Sequence, residues 1–338
     1  METLADYGTV SYFGIQTFAT GIYTSWFSFA DRGAAAQLAF CLLIFALVVA
    51  LLEQIQRGAA RNHGAGQHDK RPKQAQLRGW RAAGAFTLCA VPVFFGFLLP
   101  ITLLLFMSLE SEQSLFSTRY FGFIKNSLIL ASTAALATVF MAVLLASFKR
   151  FRPGKTSRTA ANIARVGYAV PGGVIAVGLL VPFALLDNGI DTLAERYFDV
   201  STGLIFTGSI TVLIIAYMVR FMAGALNTYD GGLATLNTKL ESVSRSLGTG
   251  SAGILFRVHF PVLKTSVFTA LLIVFVDVMK ELPATLIMRP FNFDTLAVQA
   301  HRLASDERLA GAAVPSLVIV TIGLLPVILL CRRLSRPD

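Results

Sequence analysis

Charge is scarce in this chain. Asp, Glu, Lys and Arg make up 14% of its 338 residues, against roughly 25% in soluble globular domains. Together with 55% hydrophobic residues and a mean hydropathy of +0.66, this excludes a soluble globular fold and indicates an all-α polytopic membrane protein. Cysteine is equally sparse. Cys41, Cys89 and Cys331 lie far apart in apolar runs, which excludes a disulfide framework or a CxxC zinc site and reads as three small buried hydrophobes. The four histidines are scattered, none three or four residues from another, so no metal site is expected. His63 and His68 lie in a polar stretch and read as solvated loop. No GxxxxGK[ST] phosphate loop occurs, because neither Gly172-Gly173 nor Gly231-Gly232 is followed by Lys-Ser/Thr. Nor does any nucleophile–base pair stand within the apolar runs. No enzymatic activity and no cofactor are expected of this chain. The first 30 residues lack a basic start followed by an apolar block, so no signal peptide is expected.

What is present is a set of apolar runs. A bilayer core about 30 Å thick needs about 20 apolar helical residues. Seven stretches qualify, roughly 36–54, 83–108, 126–148, 163–186, 202–225, 264–288 and 312–331. The intervening charges are asymmetric. Segments 55–81, 148–165 and 220–264 and the tail hold 21 of the 29 Lys and Arg, whereas the alternate connections hold 8 basic against 13 acidic residues. Lys and Arg stay cytoplasmic because translocating them is costly. The N-terminus is therefore expected outside and the C-terminus inside. The net charge of +10 is then a signature of topology, and no nucleic-acid partner is expected.

An internal repeat is visible. METLADYGTVSYFGIQTFATGIY at the start resembles MKELPATLIMRPFNFDTLAVQAH near the end. With Met1 on Met279, Thr17 falls on Thr295. Each segment then passes an acid–Arg stretch (Asp31-Arg32; Asp306-Glu307-Arg308) and a small-residue run before an apolar span. Transporters are often built from duplicated halves. On this reading 1–57 is the tail of a first repeat, 58–79 is a cytoplasmic linker of Gly, polar and charged residues, and 80–338 is a complete six-span repeat. The chain then looks like the C-terminal part of a longer duplicated protein, or a split half. Chance similarity of two outer loops is the alternative.

The segment 227–264, cytoplasmic on this topology, carries Leu233, Leu236, Leu240, Val243 and Leu247 at helical spacing. Gly248 and Gly250 break that helix, a second amphipathic helix follows, and Pro261 precedes the next span. Such a knob can dock its apolar stripe into a partner's groove, or else lie on lipid headgroups.

The segment resembles the cytoplasmic coupling loop of ABC-type importer permeases. Glu241 stands at the acidic position, Ser242 where a second acid is common, and Val243 and Ser244 at the usual small pair. Arg245-Ser246-Leu247-Gly248 keeps the core, and Pro261 lies thirteen residues beyond the glycine. Asn126-Ser127-Leu128, Val170-Pro171-Gly172-Gly173 and Arg220-Phe221 agree with that family. MKELPATL with RPFNFDTLA looks most like the fused two-repeat permeases of ferric iron importers. The resemblance implies a type I importer permease fold in the bacterial inner membrane. It also implies a cytoplasmic ABC ATPase dimer as partner, with Glu241, Ser242, Val243, Ser244, Arg245, Leu247, Gly248 and Pro261 forming the coupling loop. A periplasmic solute-binding protein, and a first permease half or second permease chain, complete the expected assembly.

Asp277, Lys280, Glu281 and Thr285, at the outer end of one span, are candidates for a passage, because ionisable groups at membrane depth face protein or water rather than lipid. A structural ion cluster at the water boundary is the alternative. Tyr7, Tyr12 and Tyr23 read as interface anchors. Pro171, Gly172 and Gly173 are placed within a span, for gating or for close packing. Ferric iron is the expected cargo. Thiamine, polyamine, phosphonate and sulfate remain open, as does, from another class, an ion-coupled secondary transporter.

Overall fold

The computed structural model describes residues 2–61, 78–111 and 117–334, and among these it contains helices and no strand. Most of the 58–79 linker, with His63 and His68, lies outside the described residues. Three short helices, α1 (Glu2–Ala5), α2 (Gly8–Tyr12) and α3 (Phe18–Tyr23), lead into α4 (Arg32–Arg61). Next come α5 (Trp80–Val93) and α6 (Leu99–Leu109), joined through a π-helical turn at Phe94–Leu98 into one span. The body follows: α7 (Thr118–Phe151), α8 (Lys155–Val166), α9 (Gly172–Phe198) and α10 (Thr211–Thr235). After it come α11 (Thr238–Ser246), α12 (Ser251–Ile254), α13 (Phe260–Met279), α14 (Pro283–Met288), α15 (Leu296–Ser305) and α16 (Leu309–Leu334).

Among the described residues, seven helices are long and apolar enough to cross a membrane: Arg32–Glu53, Trp80–Leu109, Thr118–Phe151, Gly172–Phe198, Thr211–Thr235, Ser251–Met279 and Leu309–Ile328. The number agrees with the sequence reading, but several boundaries move. The run 163–186 merges two elements. α8 and a turn at Gly167–Ala169 precede Pro171, which caps α9 with φ −59° and ψ 144°. Pro171 thus begins the span rather than bending its interior, because the missing N–H costs nothing at a helix start. The run 264–288 also divides: α13 ends at Met279, and α14 restarts after a break at Lys280–Leu282.

α7, α10 and α13 pack together as the centre of the body. Small buried residues make this possible: Ala131, Ala134, Ala135, Ala142 and Ala146 on α7 meet Ala216 and Ala225 on α10 and Ala270 on α13. A Cβ on Gly167 would stand 2.0 Å from the Val219 carbonyl oxygen, so only glycine allows that turn against α10. α4 packs on α3 and α9, and α16 packs on α15, α6 and α13.

Three sequence expectations are corrected here. Cys41, Cys89 and Cys331 are exposed on the apolar outer faces of their helices rather than buried, because hydropathy does not distinguish a lipid-facing position from a core one. Tyr23 is buried and not an interface anchor; it stacks on Tyr7 with ring centres 3.8 Å apart, and its hydroxyl donates to the Pro283 carbonyl. Arg220 lies inside α10 rather than in a connecting loop.

The two stretches compared above share backbone features. Gly14 and Asn292 are both left-handed, at φ 67° and 63°. Three residues on, Thr17 and Thr295 each cap a helix through a side-chain oxygen.

Candidate functional site

The segment between α10 and α13 is an elbow built in layers. α10 ends at Thr235 with Leu236 as its cap, so the expected single stripe is divided: Leu233 and Leu236 are buried with the body, whereas Leu240 and Val243 on α11 and Leu247 at its cap lie exposed. Asn237 caps α11 by accepting from the Lys239 N–H. At its other end Gly248 adopts φ +78°. The Gly248 N–H donates to Arg245 O at 2.9 Å and the Thr249 N–H to Ser244 O at 3.0 Å. This pair of bonds is the Schellman closure, which needs a left-handed residue at Gly248.

Glu241 turns inward. It is 8% exposed. Its Oε1 accepts from Arg150 Nε at 2.9 Å and lies 3.1 Å from His259 Nε2. Arg150 also donates to Leu236 O at 3.3 Å, and Phe151 stacks on the His259 ring. One carboxylate thereby joins α11 to the end of α7 and to the start of the α13 span. Beside this junction Asp230 pairs with Lys149 at 2.6 Å and with Arg165. Basic residues of the 148–165 connection thus meet acidic residues of the 220–264 region at one end of the bundle.

Pro261 neither breaks nor turns the helix. α12, a π-helical turn at Leu255–His259, and α13 run on without leaving helical angles. The Phe260 N–H donates to Leu255 O, five residues back. That wider turn displaces the carbonyl a proline ring would otherwise strike. The same device precedes Pro100, where the Leu99 N–H donates to Phe94 O.

A second polar cluster lies at the α13–α14 break. The Glu281 carboxylate accepts from the Ala284 N–H (2.9 Å), the Thr285 N–H (3.2 Å) and Thr285 Oγ1 (2.8 Å), covering the start of α14. Tyr217 Oη lies 2.5 Å from Thr285 Oγ1. Arg220 Nη1 stands 3.7 Å from Glu281 Oε1, the two side chains being 16% and 2% exposed. Gly172 fits against this pair: a Cβ there would fall 2.3 Å from Arg220 Nη1 and 2.6 Å from Glu281 Oε1. Arg220 is nine residues inside α10, about 13 Å along the helix, so the ion pair lies within the span region, where unpaired charge is costly.

Of the expected passage residues, Asp277, Lys280 and Glu281 line a cavity of about 910 Å³, together with Arg220, Asp6 and Tyr7. Thr285 is wholly buried and does not line it. Asp277 and Lys280 pair at 3.1 Å on the exposed side. His301 also borders the cavity, with its ring 5.3 Å from Tyr7. Burial holds the His301 imidazole below its ordinary pKa. The Asn126-Ser127 pair works here too: Asn126 Nδ2 donates to Asp294 O at 3.2 Å and Ser127 Oγ accepts from the Leu296 N–H at 2.8 Å, fixing the loop between α14 and α15 on α7.

Sequence reasoning missed Arg220, Tyr23, Tyr217, Arg150 and His259 as members of these clusters. A signal existed only for Arg220, an arginine flanked on both sides by apolar residues.

Comparison with known proteins agrees with this architecture. A family model described as the binding-protein-dependent transport system inner membrane component matches residues 138–336. The chain is 28% identical to an Fe(3+)-transport system permease protein, FbpB 2, of Haemophilus influenzae, over 98% of this chain but 63% of that relative. It is 25% identical to a putative 2-aminoethylphosphonate transport system permease protein, PhnV, of Salmonella typhimurium, over 77% of this chain and 96% of the relative. Among solved structures, a bacterial ABC transporter involved in import of the acidic polysaccharide alginate matches with a TM-score of 0.59 at 16% identity, covering 76% of this chain and 96% of that one. The matched region contains the body from the second half of α7 through α16, including both clusters, and the chain therefore belongs to the binding-protein-dependent transport system inner membrane components, the permease subunits of ABC importers.

Proposed function

We propose that this permease carries ferric iron from an external solute-binding protein to the cytoplasm, driven by a separate ABC ATPase dimer docked on the α11 elbow. The observation that carries the docking is the division of labour on α11. Glu241 holds the helix to the body from within, while Leu240, Val243 and Leu247, the last 80% exposed, are left outside. An apolar helix face of this kind fits a partner's groove. The concentration of Lys and Arg on the elbow's side supports a cytoplasmic elbow, with the N-terminus outside. Residues 1–57 are the tail of a first permease repeat; the shared left-handed and capping positions support that reading. A first half, or a second permease chain, completes the translocation path. The cavity bordered by Asp277, Lys280 and Glu281 is the outer part of that path.

The test is reconstitution in proteoliposomes with the ATPase with which the chain co-purifies and the iron-loaded binding protein. Leu247→Asp should insert normally, lose ATPase co-purification and abolish ferric uptake. Undiminished ATPase binding by that variant, or labelling of a cysteine at position 245 from the external face, would overturn the docking assignment. Phosphonate is a second cargo reading, favoured by the likeness that spans 96% of PhnV. Uptake of labelled 2-aminoethylphosphonate without ferric uptake would replace iron with it.

A further inference from the structure

We infer that the chain holds a phosphate-type oxyanion in a small polar pocket between the start of α7 and the outer face of α15. The two faces of α15 are used differently. Ala297, Ala300, His301 and Ala304 face the large cavity, whereas Gln299, Arg302, Leu303 and Asp306 line a separate pocket of about 150 Å³. Arg119 and Arg308 also line it, so among the described residues three arginines and one carboxylate, Asp306, border the pocket.

The floor points to a ligand more directly than the rim. Tyr120 is 2% exposed and Gln299 8% exposed. The Tyr120 hydroxyl and Gln299 Oε1 are buried without a hydrogen-bond partner among the described residues. A buried polar group left unpaired costs about 1–3 kcal/mol, and native structures leave few such groups. Tyr120 and Gln299 both line this pocket. A bound oxyanion satisfies them together: it accepts from the Tyr120 hydroxyl, and a hydrogen phosphate donates to Gln299 Oε1.

The backbone contributes as well. Ser117 caps α7, accepting from the Tyr120 N–H, and also lines the pocket. The positive end of a 34-residue helix therefore faces the space. Arginine forks match phosphate oxygens with two parallel hydrogen bonds. Arg119 and Arg302 lie on different elements, so one anion bridges α7 and α15. This assignment is independent of the cargo. The phosphate belongs either to a free anion or to a phospholipid headgroup.

The test uses the full-length protein. Equilibrium dialysis of delipidated protein with radiolabelled inorganic phosphate measures the free anion. Native mass spectrometry of protein extracted from membranes measures retained phospholipid. Arg119→Gln/Arg302→Gln changes only exposed side chains, and Tyr120→Phe removes one hydroxyl, so the two variants probe rim and floor separately. Saturable binding of one phosphate per chain, weakened at least about tenfold in the arginine variant and severalfold in Tyr120→Phe, supports a free-anion site. One retained phospholipid, lost in the same variants, identifies the headgroup as the source. If the wild type retains neither phosphate nor phospholipid beyond the arginine variant, the inference is overturned.

Discussion

Replacing Glu241 separates an internal fastening from a direct contact with the ATPase. Its carboxylate accepts from Arg150 Nε at 2.9 Å and faces His259 Nε2 at 3.1 Å, and the Arg150 side chain is 24% exposed. A hydrogen bond to a charged partner contributes about 1.5–3 kcal/mol. Severing a fully buried pair costs about 3–5 kcal/mol, and the residual exposure of Arg150 lowers that figure. We therefore expect Glu241→Ala to destabilise the junction by about 2 kcal/mol. Amide exchange in α11 should accelerate about thirtyfold, at about 1.4 kcal/mol per tenfold. Glu241→Gln, which keeps an acceptor, should fall between. The decisive variant is Arg150→Met/Glu241→Leu. If Glu241 fastens α11 to α7, removing both charges together restores slow exchange and most of the coupling of ATP hydrolysis to uptake. If Glu241 instead touches the ATPase, the double variant stays uncoupled while α11 exchange in the permease alone never changes. That outcome, or a Glu241–Arg150 coupling energy below about 0.5 kcal/mol in a double-mutant cycle, would refute the reasoning.

Gly248→Ala meets no steric obstacle, since a Cβ there has nothing within 4 Å, and should cost only the left-handed strain of about 1–2 kcal/mol. Hydrolysis coupled to uptake should weaken in that variant, with Gly248→Asn milder. Gly172→Ala should force Arg220 from Glu281 and abolish uptake without loss of membrane insertion, as read by uptake and surface labelling. Glu281→Leu should destabilise the body by about 3–5 kcal/mol by leaving Arg220 uncompensated, and Arg220→Met in the same chain should recover part of that loss in thermal unfolding. His301 is held neutral by burial, its pKa below the ordinary 6.5. The unfolded chain therefore binds the proton more readily, and stability falls as pH drops through 6.5 toward the lower folded value. Amide exchange in residues 2–13 should quicken on acidification, and His301→Gln should remove that dependence.

Much of the membrane architecture was legible because a span is a property of one segment: its length and its apolarity. The Schellman glycine was legible for a similar reason, being fixed by local backbone. The inward turn of Glu241 was not, since its partners Arg150 and His259 lie 91 and 18 residues away. Arg220 was misplaced because hydropathy sets a boundary where charge begins, whereas α10 continues fifteen residues further to Thr235. Its partner Glu281 stands at the outer end of a different span, and only packing of α10 against the α13–α14 break brings the two together. The pocket at Arg119 and Arg302 had no motif at all. Its residues lie in two segments, about 180 positions apart, that tertiary packing alone makes neighbours.

The unbroken helix from Ser251 to Met279 has mechanical meaning. At 29 residues it is a beam about 43 Å long, with the junction of His259 and Glu241 near one tip and Glu281 two residues past the other. Because the wide turn at Leu255–His259 absorbs Pro261 without a joint, a 5° tilt at the inner tip sweeps the far end through about 4 Å. A displacement smaller than a methyl group near the elbow is thus magnified where Arg220 and Glu281 meet.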